Sequence, residues 1–333
     1  MSMPNEGREI TFAQAINEAI HEEMRRDKTV IVLGEDVGSP GGVYKLTQGL
    51  HSEFGGDRVL DTPISEASLA GLAVGAAMTG LRPIAEIMFG DFLGLAMDQI
   101  ANQAAKTHYM SGGELTLPLV IRTTMGAGRR LAAQHSQSLS AWCAHIPGLK
   151  VVLPSTPYDA KGLLKTAIRD NNPVVFFEDK MMYREKGRMP EVSFEYTLPF
   201  GKADIKREGT DLTMIATSSM VQVALEAAAE LVKQGIDTEV IDPQTLTPLD
   251  EETLVNSVKK TSRCIVIDEG YQRFGVTAEI ASVVSEKAFY YLDAPVYRLG
   301  AMDVPIPFSP VLEDQTIPNA GAVIKAAGQW FRR

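Results

Sequence analysis

Cysteine is almost missing from this chain: there are two in 333 residues, Cys143 and Cys264. Each sits among apolar neighbours (Ala141-Trp-Cys-Ala144 and Arg263-Cys-Ile-Val266), so both read as buried thiols of a reducing compartment rather than a disulfide framework. Histidine is scarce too. The five, at 21, 51, 108, 135 and 145, make no His-x-x-x-His pair, and there is no Cys-x-x-Cys, which argues against a catalytic metal site. A P-loop, a Gly-x-Gly-x-x-Gly fingerprint and a Gly-x-Ser-x-Gly elbow are all absent. Gly126-Ala-Gly128 comes nearest to a nucleotide loop, but Arg129-Arg130 follows where the third glycine should approach. The longest uncharged apolar run, around 67–81, falls short of the ~20 residues a membrane helix needs. Positive charge is in deficit, with 32 Lys and Arg against 42 Asp and Glu and a net charge of −10. That disfavours nucleic acid and anionic membrane as partners. The first nine residues hold neither an apolar core nor an Arg/Ser-rich amphipathic stretch, so the expectation is a cytoplasmic protein without signal or transit peptide.

What is present suits two soluble domains. Hydrophobic residues at 45% and charged ones at 22% provide ample core and surface. Apolar runs alternate with helical periods. Phe12, Ile16, Ile20 and Met24 recur every four residues behind a Thr11/Gln14 capping box, which predicts a helix over 11–26. Buried strands are expected at 29–33, 82–89, 117–122, 149–153 and 173–178, with helices over 91–108, capped by Asp91, and 157–169. Residues 179–209, charged and with two prolines, break the rhythm. It resumes with strands at 212–216, 238–242, 263–268 and 296–299 and helices at 220–234, 250–260, 276–287 and 319–330. Continuous apolar strands between helices predict an α/β fold of two doubly wound, mostly parallel sheets, covering 8–185 and 210–333 with a linker at 186–209.

In such sheets ligands bind beyond the carboxyl ends of the strands. The loops so placed are 34–42, 61–66, 89–92 and 125–137, all assigned here to the first domain. In the second of these, Val59-Leu-Asp-Thr-Pro-Ile-Ser-Glu66 leads into Ala67-Ser-Leu-Ala-Gly-Leu-Ala-Val-Gly-Ala-Ala-Met78. Ser65 is positioned to cap this helix of small apolar residues, and the helix reads as buried. Glu66 therefore stands at the mouth of a dry helix, where a carboxylate can share a proton with a basic ring nitrogen. A first-turn acid that simply favours the helix dipole fits the same residue. His135 lies in a polar run, Gln134-His-Ser-Gln137, of a long loop after a strand. Such histidines serve in acid–base chemistry or merely bond to backbone.

Five motifs occur together and in order: Asp61-Thr-Pro-Ile-Ser-Glu66, Ala132-Ala-Gln-His-Ser-Gln137, Pro147-Gly-Leu-Lys-Val-Val152, Asp159-Ala-Lys-Gly-Leu163 and Ala167-Ile-Arg-Asp-Asn-Asn-Pro-Val174. From about residue 8 onward the chain resembles the beta subunits of the decarboxylating component of 2-oxoacid dehydrogenase complexes, in the transketolase-like thiamine diphosphate family. The resemblance implies a pyrimidine-binding domain followed by a transketolase C-terminal-type domain. It implies that Glu66 bonds the aminopyrimidine ring nitrogen of thiamine diphosphate, that Phe92 packs on that ring, and that Ile64 and Met88 line its slot. Core packing would explain these three apolar residues equally. Glu35 is a further cofactor-site candidate. His135 matches the family's active-site histidine, which positions or protonates substrate and assists acyl transfer to the lipoyl group. A structural monovalent cation, usually potassium, is implied at Leu119, Ala167, Ile168, Asp170 and Asn172, where a helix-ending turn explains the residues almost as well.

One family element is missing. The Gly-Asp-Gly…Asn-Asn motif that holds Mg²⁺-diphosphate does not occur; Gly55-Gly-Asp57 has the wrong order. A separate alpha subunit is therefore expected to supply it, in an α2β2 heterotetramer that docks on a lipoyl acyltransferase core. The expected activity is pyruvate dehydrogenase, with acetoin and then branched-chain 2-oxoacid dehydrogenase as alternatives. The rivals are a non-catalytic assembly subunit and a self-sufficient transketolase-like synthase fragment.

Overall fold

The computed structural model describes residues 7–331, which divide into two compact units: residues up to 125 together with 142–200, and residues 126–141 together with 201 onward.

The first unit opens with strand β1 (Arg8–Thr11) and helix α1 (Phe12–Arg26). The predicted capping box forms: Thr11 Oγ1 accepts from the Gln14 N–H at 3.2 Å, and Gln14 Oε1 accepts from the Thr11 N–H at 2.8 Å. There follow β2 (Val30–Gly34), α2 (Leu50–Phe54), β3 (Val59–Asp61), α3 (Glu66–Met78) and β4 (Arg82–Ile87). Next come α4 (Leu93–Asp98), α5 (Ala105–Met110), β5 (Val120–Met125), α6 (Ser140–Ala144), β6 (Lys150–Val152), α7 (Pro157–Arg169), β7 (Val174–Asp179) and β8 (Lys186–Met189). Within this unit a parallel sheet runs β6-β7-β5-β4-β2-β3. Its core holds α1 and α7 on one face through Phe12, Ile16, Ile20, Leu163 and Leu164, all fully buried.

The second unit contains β9 (Asp204–Arg207), β10 (Leu212–Ala216), α8 (Met220–Val232), β11 (Thr238–Asp242), β12 (Thr245–Thr247), α9 (Glu251–Thr261) and β13 (Cys264–Tyr271). It ends with α10 (Val276–Ala288), β14 (Tyr297–Ala301), α11 (Pro310–Thr316) and α12 (Ala320–Phe331). Its sheet order is β14-β13-β10-β11-β9, parallel except for the antiparallel edge strand β9. Both units are doubly wound α/β layers, as the alternation predicts.

Four local expectations change. Residues 91–108 do not form one helix capped by Asp91: a 3₁₀ turn over Gly90–Phe92 opens it and a π-helical stretch over Gln99–Ala104 interrupts it. Residues 186–209 contain two strands, because β8 pairs antiparallel with β1 and β9 with β11. Ser65 takes the cap position of α3, but its hydroxyl donates to Ser68 Oγ at 2.9 Å rather than receiving a backbone N–H. And α3 is buried on one side only. Leu69, Ala70, Ala73, Val74 and Ala77 face the core, while Ala67, Ser68, Leu72, Gly75 and Met78 form an exposed stripe at helical spacing.

Candidate functional site

The carboxyl ends of β3, β2 and β4 lie side by side, with Gly34 in register with Asp61 on one flank and with Glu86 on the other. The chain leaves these ends at Glu35, at Thr62 and at Met88, so three sequence-distant loops are brought to one edge. Two backbone contacts fasten them. The Thr62 N–H donates to Gly34 O at 2.9 Å, and the Gly38 N–H donates to Asp61 Oδ1 at 2.7 Å. A Cβ on Gly38 would lie 2.5 Å from Asp61 Oδ2, so any larger residue there would push the Asp61 carboxylate away from this bond. Asp61 was not singled out from the sequence. Its only signal is a short acid placed between a strand and a Thr-Pro turn.

Glu66 begins α3 and is 7% exposed. Among the described residues no donor bonds its carboxylate, although the opening turn of a helix stabilises negative charge there. A mostly buried carboxylate with its acceptor capacity unspent has the chemistry to hold a proton on a heterocyclic nitrogen. Glu35 is near enough to matter. Burial pushes its carboxyl above the usual range, and the charges of Glu66 and then Asp36 add to the shift. The Thr62 hydroxyl, in the loop after β3, is buried without a hydrogen-bond partner.

The apolar candidates divide. Phe92, half-buried, meets Phe89 edge-on with ring centroids 5.6 Å apart. Met88 is half-buried, and its carbonyl accepts the Thr124 hydroxyl at 2.8 Å, so its backbone is fixed. Ile64 is 82% exposed, which rules out the core-packing explanation for it. An unpacked isoleucine two residues before a buried carboxylate is free to line a ligand. Together Glu35, Ile64, Glu66, Met88 and Phe92 offer acid groups and apolar surface at one sheet edge, a donor set that fits an aminopyrimidine ring.

Below this edge lies a charge cluster that sequence reasoning missed. Arg122, on β5 and 1% exposed, is bidentate to Glu178 on β7 at 2.7 and 2.8 Å and also reaches Glu86 on β4 at 2.8 Å. The Tyr183 hydroxyl completes it with a 2.8 Å bond to Glu178. Arg122, Glu178 and Glu86 lie in runs that read as plain core strand, and only a charged residue inside such a run could have signalled the cluster.

By its contacts His135, with the rest of residues 126–141, groups with the second unit. The reason is visible in the bonds of residues 126–141: the Ala127 N–H donates to Glu269 at 2.6 Å, the Gly128 N–H to Glu313 at 2.7 Å, and Arg130 pairs with Glu313 and Asp314 at 2.6 and 2.7 Å. The imidazole is half-buried, and the His135 N–H donates to Ala132 O.

The five cation candidates do meet at one corner, where α7 ends before β7. The donor set there is already engaged. Arg82 donates to Ile168 O and Asp170 O at 3.1 and 3.0 Å, Lys150 holds Asp170 Oδ2, and Asn172 donates from backbone and side chain to Asp170 Oδ1. The Leu119 and Ala167 carbonyls accept from the Val174 and Asp170 N–H groups. Arg82 and Lys150 thus serve the Ile168 and Asp170 oxygens, which a potassium ion here would have to share with two cations, while the Leu119 and Ala167 carbonyls each keep a second lone pair. No cluster of three or more His, Cys, Asp or Glu able to hold a metal occurs among the described residues.

Comparison with known proteins matches the chain in two parts. Residues 8–186 match the pyrimidine-binding domain of transketolase and residues 201–323 its C-terminal domain. The acetoin:2,6-dichlorophenolindophenol oxidoreductase beta subunit of Bacillus subtilis is 53% identical, covering 95% of this chain and 96% of that protein. The pyruvate dehydrogenase E1 component beta subunit of Rhizobium meliloti is 50% identical over 95% of this chain and 69% of its own length. The 2-oxoisovalerate dehydrogenase beta subunit of Bacillus subtilis is 47% identical over 94% and 96%. Among solved structures, a split-gene transketolase described as an inactive beta4 tetramer superposes with a TM-score of 0.77 at 25% identity, covering 96% of this chain and 97% of that one. Matched in both halves, and about half identical to relatives along nearly its whole length, the chain belongs to the transketolase-like family of dehydrogenase beta subunits of the pyruvate and acetoin type.

Proposed function

We propose that this chain is the beta subunit of a thiamine-diphosphate-dependent dehydrogenase component that cleaves pyruvate and passes the acyl unit to lipoyl-lysine. The observation that carries the reading is Glu66: a mostly buried carboxylate, bonded by no donor among the described residues, in a domain matched to pyrimidine binding. Bound at this edge, thiamine diphosphate would supply an electron sink for breaking a bond next to a carbonyl. The chain's own part is to hold the ring and move protons. Glu66 accepts or keeps the proton at the ring nitrogen, with Glu35 beside it as a second acid. Ile64, Met88 and Phe92 form apolar walls that fix the ring and keep water out. His135 positions the substrate and shuttles a proton to it.

A partner is part of the proposal. The chain lacks the family's diphosphate motif, so an alpha subunit would bind Mg²⁺-diphosphate in an α2β2 assembly that docks on a lipoyl acyltransferase core. The exposed apolar stripe of α3, with Leu72 at 55% exposure, supports a protein surface that is covered in use. Likeness to a transketolase beta assembly described as inactive supports the same view, that this chain needs its partner. No described helix is long and apolar enough to cross a membrane, and a cytoplasmic site of action is proposed. Acetoin is the second reading, favoured by the 53% identical Bacillus subtilis relative. A branched-chain 2-oxoacid is the third, and a non-catalytic assembly role would leave the unspent Glu66 carboxylate unexplained.

The test is purification of the chain with its alpha partner and a dye-reduction assay on pyruvate, acetoin and branched 2-oxoacids. Glu66→Ala should lower turnover by about 10²–10⁴-fold, the usual worth of a positioned acid–base group, while the assembly stays intact. Undiminished turnover would overturn the catalytic reading. Tight binding of thiamine diphosphate and Mg²⁺ by the chain alone would overturn the heteromeric one.

A further inference from the structure

We infer that Glu313, assisted by Glu269, is a positioning residue for His135. This rests on the proposed role of His135 and adds the structure that sets where its imidazole stands. The backbone leading to His135 adopts left-handed φ values four times in seven residues, at Gly126, Gly128, Arg130 and Ala132. Arg130 and Ala132 carry a Cβ, so this conformation is disfavoured and persists only where the surroundings impose it.

The imposing groups are carboxylates. Glu313, fully buried on α11, accepts the Gly128 N–H with Oε1 at 2.7 Å and Arg130 Nη1 with Oε2 at 2.6 Å. Arg130 is gripped from outside as well, by Asp314 Oδ1 at 2.7 Å and Pro310 O at 3.3 Å. Glu269, at the end of β13, accepts the Ala127 N–H at 2.6 Å. The Gly126 N–H then donates to Gln137 O, closing the loop on itself, and the His135 N–H donates to Ala132 O inside the closure. The two acids therefore act on successive amides at the loop's root, and the chain of bonds that reaches His135 starts from that root. The Glu313–Arg130 pair, with the acid buried and the guanidinium half-exposed, is a poor device for stability alone, since desolvating the acid offsets much of the attraction. Here it does something a hydrophobic pair could not: it bonds a backbone N–H and a guanidinium five residues or more before the imidazole.

The experiment uses the α/β complex with Glu313→Gln, Arg130→Met and His135→Ala. In Glu313→Gln the new side-chain amide would turn an N–H toward the Arg130 guanidinium, donor against donor. Arg130→Met removes the half-exposed partner and keeps the protein folded should Glu313→Gln not. Amide hydrogen exchange is read on the complex without thiamine diphosphate. Exchange in the peptide 126–137 should rise in both loop variants while the strands of the second unit keep their protection. With cofactor, kcat should fall about 10–100-fold, since a displacement of about 1 Å can cost about 10²-fold, with KM little changed. The limb of the pH profile lost in His135→Ala should also shift in both loop variants. Wild-type loop exchange and an unmoved pH profile in Glu313→Gln and Arg130→Met, with His135→Ala inactive, would overturn the positioning role alone. Loss of protection throughout the second unit, with the pH limb in place, would likewise show a merely structural role. Full turnover in His135→Ala would overturn the reading of His135 itself and this inference with it.

Discussion

Arg122→Met tests whether the acid–base cluster under the cofactor edge is held by one guanidinium. Arg122 joins three adjacent strands: it lies on β5, binds Glu178 on β7 through two oxygens, and binds Glu86 on β4. Methionine fills much of the same volume, so the change removes charge and hydrogen bonds with little cavity. Two carboxylates are then left in the sheet, with the Tyr183 hydroxyl still donating to Glu178. Breaking a buried pair in this way costs about 3–5 kcal/mol. At about 2–4 °C per kcal/mol for a unit of this size, the first thermal transition should fall by about 6–20 °C.

The pH dependence gives the sharper check. Burial pushes the Glu86 carboxyl up, Arg122 opposes that shift, and Glu178 adds to it. For an acid whose folded value lies above its unfolded one, the folded state binds the proton more readily. Its stability then rises as pH falls through the folded value toward the unfolded value of about 4.3. Removing Arg122 removes the opposing cation, so the deficit of the variant should be greatest near neutrality and shrink on acidification. Adding Glu86→Gln and Glu178→Gln to Arg122→Met should restore much of the lost melting temperature, because no unpaired charge remains buried. The measurement is thermal unfolding of the α/β complex followed across mildly acidic to neutral pH. A shift below about 2 °C, under 1 kcal/mol on the same scale, or a deficit that grows as pH falls would refute the reasoning.

Gly38→Ala should break the clasp between the loops after β2 and β3, since its Cβ would stand 2.5 Å from Asp61 Oδ2. A cost of about 1–3 kcal/mol in stability is expected, with weaker thiamine diphosphate binding by calorimetry on the complex, and unchanged affinity would count against the clasp. Because Arg82 and Lys150 already serve the Asp170 corner, exchanging potassium for choline at constant ionic strength should leave the melting temperature unmoved. A saturated ion at 100 times its Kd would instead be worth about 2.7 kcal/mol, and a fall of several degrees would show that it binds. Cys143 and Cys264 are both fully buried, with burial pushing the Cys143 thiol up to about 12 and Cys264 higher still. Neither should react with a disulfide reagent in the native complex, and rapid modification would contradict the packing around them.

How much of this was legible in the sequence depended on the distance over which each feature is encoded. The Thr11/Gln14 capping box spans three residues, and it forms as read. The core strands could be found because a parallel sheet buries both faces, leaving continuous apolar runs such as Val174–Phe177. The buried place of Glu66 at the start of α3 could be read because the helix behind it and the turn before it are adjacent in the chain. What could not be read was set by partners far away. Arg130 looks like half of a surface dibasic pair until Glu313, 183 residues on, is seen to bind it. Arg122 looks like a stray charge at a strand end until Glu178 and Glu86 arrive from two other strands. β1 and β8 are a four-residue pair whose alternation is too short to register, and each defines the other only by being opposite it. The helix after Glu66 is the instructive case. Small apolar residues all around α3 suggested burial on every side, yet its own unit covers only one face. If a partner subunit covers this stripe, as proposed, the apolar pattern all around α3 is that of the assembly rather than of one unit.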